Sequence, residues 1–269
     1  MRENNVRNIW KAGGAVVNGW LAIPSSISAE AMAHAGWDSL TIDIQHGLVD
    51  YSGAVPMFQA ISSTGVTPMV RVPWNEPGII MKCLDSGSAG IICPMISSRE
   101  EAAALVGACK YPPIGTRSYA GARNFIYHGP GYSVQGANDT VLAIAMIETE
   151  GALANLDEIM TTPGLDGIYV GPADLALALG RPVSGSPTDE VVLKEISRIL
   201  ETARRHNMPA GIHTGGPEFA VKMIKLGYQL VSITSDVALL TLASQQAIAA
   251  VREGSGTTAP ASGGAKASY

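Results

Sequence analysis

This sequence predicts a single-domain (β/α)8 TIM barrel, and three observations carry that prediction. Eight short apolar runs alternate with longer amphipathic ones at intervals of about 30 residues, the signature of a parallel α/β fold. Most of the short runs are continuously apolar, as strands buried on both faces must be. The 269 residues suit one barrel of roughly 250 residues without a second domain.

The elements follow in order. Strands are expected at Ala15–Ile23, Ser39–Ile44, Thr67–Val72, Gly90–Cys93, Val141–Ile147, Gly167–Val170, Pro209–Ile212 and Leu230–Thr234. Helical patterns lie between them at Ser28–Ala35, Pro77–Ser86, Ser98–Cys109, Glu190–Asn207 and Gly216–Leu226, and an apolar terminal helix at Val237–Val251. Ser98 followed by Arg-Glu-Glu reads as an N-cap with first-turn acids. The connection Lys110–Thr140 is too rich in Gly and Pro for one regular helix, and its length suggests an active-site cover. The barrel domain is expected to span 1–253. Residues 254–269, mostly Gly, Ser, Ala and Thr, read as a disordered tail.

Composition narrows the function. A net charge of −5 argues against a nucleic-acid partner, which requires a basic surface. No long apolar run suggests a membrane span, and Met1-Arg-Glu-Asn-Asn lacks the core of a signal peptide, so a cytoplasmic location is expected. Cys83, Cys93 and Cys109 have no metal-like spacing and read as buried thiols. Neither GxGxxG nor GxxxxGK[ST] occurs, which weakens nucleotide-binding readings.

In a (β/α)8 barrel the chemistry stands at the carboxyl ends of the strands. Polar groups recur there: Asp43-Ile-Gln-His46 after the second strand, Arg71 ending the third, Glu148 the fifth and Asp174 the sixth, then His213 and Ser235-Asp236. Glu148 and Asp174 fall on adjacent strands, where one divalent cation could bridge two carboxylates and keep waters in its other positions. Structural roles compete: Asp174 as the N-cap of the next helix, Glu148 as a first-turn acid, Arg71 in a buried ion pair, His46 and His213 as core histidines. Glu150, two residues past Glu148, is expected to face solvent. His34, His128 and His206 read as lying away from the site.

Taken together, Asp43-Ile-Gln-His-Gly, Arg71-Val-Pro-Trp-Asn, Tyr111-Pro-Pro-Ile-Gly-Thr-Arg, Ile147-Glu-Thr and Val170-Gly-Pro-Ala-Asp-Leu resemble the HpcH/HpaI aldolases, class II metal-dependent pyruvate aldolases typified by 4-hydroxy-2-oxoheptanedioate aldolase. The resemblance runs from Asn18 to Val251. It implies that Glu148 and Asp174 are metal ligands and that Arg71 binds the pyruvate carbonyl oxygen. It also implies that His46 is the catalytic base, that Asp43 orients it, and that the backbone of Ala173 and Asp174 cradles the pyruvate carboxylate. Trp20 then lines the pocket, Asp85 reaches a neighbouring subunit's site, and the assembly is a homo-oligomer, a hexamer. Three positions depart from the family pattern. Gln45 replaces a common acid, Met146 replaces a common glutamine near the metal, and His213 stands at the aldehyde end where several members are apolar.

The implied reaction is reversible cleavage of 4-hydroxy-2-oxo acids to pyruvate and an aldehyde through a pyruvate enolate stabilised by Mg2+, Mn2+ or Co2+. Lys82, Lys110, Lys222 and Lys225 read as helix or loop residues, so a Schiff-base route has no candidate. An imidazole suits the base because it exchanges protons near working pH. Two alternatives stand beside this reading. One is a CoA-thioester lyase of the same superfamily, although no arginine cluster beyond Arg204-Arg205 is available for the CoA phosphates. The other is a catalytically silent barrel that binds 2-oxo acids.

Overall fold

The computed structural model describes residues 2–257. Eight parallel strands close on themselves: β1 (Val16–Leu21), β2 (Ser39–Asp43), β3 (Thr67–Arg71), β4 (Gly90–Cys93), β5 (Leu142–Ile147), β6 (Gly167–Val170), β7 (Ala210–His213) and β8 (Leu230–Ser235). β8 pairs with β1, so the sheet has no edge. Each expected strand is present within two residues of its expected ends.

The period of two along each strand divides the core into two layers. Leu142, Ile144 and Met146 of β5 join Val16, Trp20, Met69, Ile92, Tyr169 and Leu230 inside the barrel. Ala143, Ala145 and Ile147 point the other way, into the layer shared with Phe58, Leu105, Ile159 and Ile199 of the surrounding helices. β5 is apolar without interruption because both of its faces are buried. Helices start where a side chain can take a first-turn N–H: Ser25, Asp50, Ser98, Thr149, Asp189 and Ser235 all do so.

Several elements were not legible in the sequence. A helix at Asn5–Lys11 closes the amino-terminal end of the barrel, inserting Val6 and packing Ile9 and Trp10 against the inner layer. The helix Tyr51–Ile61 carries Pro56 in its interior, which masks the helical pattern. The Lys110–Thr140 connection holds two short helices, Ala122–His128 and Val134–Thr140. Its placement corrects the expectation of an active-site cover. It follows the helix Arg99–Cys109 and leads into β5, so it lies at the amino-terminal end, opposite the strand ends. Asp85, which closes the helix Pro77–Asp85, is held there by Arg117 at 2.7 Å and Asn124 at 3.1 Å.

Asp236 opens the last helix, Asp236–Ser255, and is its only buried residue. Its carboxylate accepts the backbone N–H groups of Ala22 and Ile23 and the Ser28 hydroxyl, tying the loop after β1 to the end of β8. Leu240, Leu242, Ile248 and Val251 further along are exposed. The helix continues through Ser255, two residues into the expected tail, and the rest of that tail from 258 lies outside the described residues. Among the described residues no helix is long and apolar enough to cross a membrane.

Candidate active site

Glu148 follows directly on β5 and is buried. Its Oε1 accepts the Met95 backbone N–H at 2.9 Å, but its Oε2 is buried with no hydrogen-bond partner. Burial pushes the carboxyl up to about 7, and the charge of Asp174 adds to the rise against the Met95 N–H and Arg71. Asp174 is the third residue of the helix Pro172–Ala178, so Gly171, not Asp174, occupies the N-cap position. The space around Oε2 depends on Gly171, because a Cβ there would overlap that oxygen and crowd the Met146 methyl. A cleft of about 510 Å3 opens beside the two acids, bordered by Met95, Thr149 and Leu177. Met95 itself holds a φ of 61°, a conformation uncommon outside glycine and often found at functional sites.

Among the described residues no three His, Cys, Asp or Glu side chains converge. The donor set is therefore two carboxylates, one carrying an orphaned buried oxygen. That set fits a hard divalent cation such as Mg2+, which retains several waters and takes one or two protein carboxylates.

The other half of the mouth is already neutralised. Asp43 ends β2 and lies almost wholly buried. Arg71 grips it through two bonds, Nε to Oδ1 at 2.9 Å and Nη2 to Oδ2 at 2.6 Å. The Trp20 indole N–H donates at 3.2 Å, and the backbone N–H groups of Gln45 and His46 donate to Oδ1. Burial pushes the Asp43 carboxyl up, yet Arg71, Trp20 and the backbone donors together hold it below its ordinary value. The Arg71 guanidinium also lies 4.9 Å from the centre of the Trp20 ring.

This arrangement differs from the expected dyad. Asp43 receives the backbone N–H of His46, while the His46 side chain is exposed and makes no hydrogen bond among the described residues. The physical reason is competition: a bidentate guanidinium and the indole N–H occupy the carboxylate oxygens. Trp20 is placed at the pocket wall, with His213 edge-on at 4.9 Å and Tyr169 stacked at 6.0 Å. Ala173 and Asp174 supply first-turn N–H groups from a helix without a side-chain cap. Gln45 leaves its Oε1 buried and unpaired. Glu150 is exposed, as expected.

No lysine of the four considered reaches this mouth. Lys110 is buried at the opposite end, bonded to Asp166 at 2.9 Å. Lys82 lies over Tyr51, and Lys222 and Lys225 are exposed on the helix Pro217–Leu226. Arg204 and Arg205 are also engaged, with the Leu226 carbonyl and Asp157 respectively.

A polar series not evident from the strand ends runs inside the barrel. Ser39 and Thr41 donate to Asn18 Oδ1 at 2.8 and 3.1 Å, and Asn18 Nδ2 donates to Ser232 Oγ at 2.9 Å. The Ser232 and Tyr169 hydroxyls are 2.6 Å apart, and Tyr169 Oη lies 3.3 Å from His213 Nδ1. The available signal was polar residues recurring at alternate, inward positions of β1, β2 and β8.

The family profile for HpcH/HpaI aldolase/citrate lyase matches residues 18–243. The chain is 40% identical over 249 residues to the hydroxypyruvate/pyruvate aldolase of Rhizorhabdus wittichii, covering 93% of this chain and 99% of that protein. It is 34% identical to the 4-hydroxy-2-oxo-heptane-1,7-dioate aldolase of Escherichia coli over 90% and 93% of the two chains. A crystal structure of a family protein from Burkholderia cenocepacia superposes with a TM-score of 0.87 at 31% identity, covering 93% of this chain and 99% of that one.

Proposed function

The chain belongs to the HpcH/HpaI aldolase/citrate lyase family and is on that ground a carbon–carbon lyase; from this premise we propose that it is a divalent-metal-dependent aldolase that reversibly cleaves 4-hydroxy-2-oxo acids to pyruvate and an aldehyde. The observation that carries this reading is the buried, orphaned Glu148 oxygen beside Asp174, on the same mouth as Arg71. The names of the relatives, a hydroxypyruvate/pyruvate aldolase and a 4-hydroxy-2-oxo acid aldolase, support the substrate class.

Glu148 and Asp174 are the proposed ligands of Mg2+, Mn2+ or Co2+, and a bound ion supplies Lewis-acid polarisation of the 2-oxo group. Arg71 keeps Nη1 outside its clamp on Asp43 and presents that N–H to the oxyanion that develops on the 2-oxo oxygen. The N–H groups of Ala173 and Asp174 hold the carboxylate of the pyruvate half. His46 accepts the C4 hydroxyl proton as the C3–C4 bond breaks and returns it in the synthetic direction. Its exposed imidazole suits that exchange with an incoming substrate. Asp43 acts on the reaction through Arg71, and Trp20 forms the wall beside the pair.

We place the protein in the cytoplasm, as a homo-oligomer on the hexamer pattern, within a barrel domain of 1–253. The exposed apolar side chains of the last helix support assembly.

The test is pyruvate release from a panel of 4-hydroxy-2-oxo acids, coupled to lactate dehydrogenase, with added Mn2+ and with EDTA. Release that EDTA abolishes is expected. Metal binding without turnover on any member of the panel would favour a silent 2-oxo-acid-binding barrel. His46→Ala should lower cleavage roughly 10^2- to 10^4-fold while pyruvate and metal still bind by calorimetry; unchanged turnover removes His46 from the mechanism.

A further inference from the structure

His213 is the point at which the polar chain inside the barrel reaches the active-site mouth. Asn18 Oδ1 takes two hydroxyl donors, Ser39 and Thr41, which turns its NH2 group toward Ser232. The Ser232 and Tyr169 hydroxyls share a hydrogen bond at 2.6 Å, and Tyr169 Oη meets His213 Nδ1 at 3.3 Å. Nδ1 is thereby engaged, and Nε2 is the ring nitrogen left to meet a ligand, as donor or as acceptor according to the tautomer. Burial, with the positive charge of Arg71, pushes the imidazole down to about 4, so the ring is neutral at neutral pH. Its Nε2 has no partner among the described residues, and the residue is half-buried, not sealed. The ring stands edge-on to Trp20, whose indole N–H bonds Asp43.

Asn18, Ser39, Thr41, Ser232 and Tyr169, the other members of this hydrogen-bonded series, all find partners within the barrel. Buried polar groups are tolerated only when paired, so a chain of five polar side chains ending at one imidazole is a device for holding that imidazole. The ring is held in orientation through Nδ1, with Nε2 left for a ligand.

Resting on the aldolase reading above, we propose that His213 is a specificity-determining residue whose Nε2 hydrogen-bonds a hydroxyl of the aldehyde half, so that the site selects 2-hydroxyaldehydes over alkyl aldehydes of the same size. The wall around it is aromatic and cannot replace the lost partner when an alkyl group arrives. A site built to hydrogen-bond a hydroxyl discriminates strongly against the analogue lacking it, because its own polar group is left unpaired.

The experiment measures kcat/KM for aldol addition of pyruvate to glycolaldehyde and to propanal, which differ by a hydroxyl against a methyl, using the full chain with Mn2+. The unsubstituted enzyme should prefer glycolaldehyde. His213→Phe should reduce that preference about tenfold or more; His213→Gln, which retains a donor, should recover part of it. Tyr169→Phe should give an intermediate loss, since the ring keeps its packing against Trp20 but loses its hydrogen bond at Nδ1. An unchanged ratio in His213→Phe, or equal losses toward both aldehydes in the Phe and Gln variants, would overturn the inference. Deuterium exchange at pyruvate C3 separates the two levels: its absence from the unsubstituted enzyme overturns the aldolase reading, and this inference with it.

Discussion

Two buried carboxylates at one barrel mouth have opposite fates. Asp43 has five donors around it and is held below its ordinary pKa value; Glu148 has one, with an oxygen left over, and is pushed up to about 7. Burial acts on both in the same direction. What separates them is the guanidinium of Arg71, which pairs with Asp43 in two bonds and reaches Glu148 only through space. The buried carboxylate with its countercharge in the chain is clamped; the one without is the carboxylate we propose as a cation ligand.

The comparison breaks most severely at Asp174. Asp174→Ala leaves a single protein carboxylate, and Mn2+ binding should fall beyond detection by titration calorimetry, with pyruvate release lost in parallel. Retained affinity would mean that the cation sits elsewhere. The next test concerns the clamp. Arg71→Ala leaves Asp43 as an uncompensated buried charge and should destabilise the fold by about 3–5 kcal/mol in urea unfolding. In an Asp43→Asn background the same substitution should cost much less, and purely additive effects would show that the pair is not coupled.

The smallest effect is a pair of opposite pH slopes in the metal-free protein. Glu148 binds its proton more tightly when folded. Stability should therefore fall as pH rises from the ordinary value of 4.5 through about 7, by about 3 kcal/mol at most. Glu148→Gln should remove that slope. Asp43 binds its proton less tightly when folded. Its contribution is present above the ordinary value of 3.8 and is lost as pH falls below it. Asp43→Asn should flatten that acid limb alone. Slopes of the same sign for both residues would erase the distinction.

The barrel was legible because burial on both faces writes continuous apolar runs, and eight of these at regular spacing admit few alternatives. Glu148 and Arg71 stood out for the converse reason, a charge where an apolar strand ends, and Asp174 because the sixth strand runs into it through Gly171-Pro-Ala. The pairing between side chains was not. Nothing in Asp43-Ile-Gln-His46 says whether the carboxylate meets the imidazole or the arginine that lies 28 residues further along the chain. That choice depends on the register between β2 and β3, which sets Asp43 beside Arg71. The inner polar chain was hidden because its members are spread over β1, β2, β6 and β8. The side of the barrel on which the long Lys110–Thr140 connection falls follows from whether it leaves a helix or a strand.

The clasp between Asp236 and the loop after β1 has a consequence for how the site comes into being. Trp20, on the first strand, works beside Asp43 and His213, and β1 has its second neighbour only in β8. During synthesis the chain must hold its earliest strand open until nearly its last elements emerge. A ribosome that has passed Asp174 has already made both proposed metal ligands and the arginine, yet the ring that would aim them is not closed. Truncation before β8 therefore produces a polypeptide with the proposed metal ligands and the clamp residues in its sequence, and no mouth at which they meet.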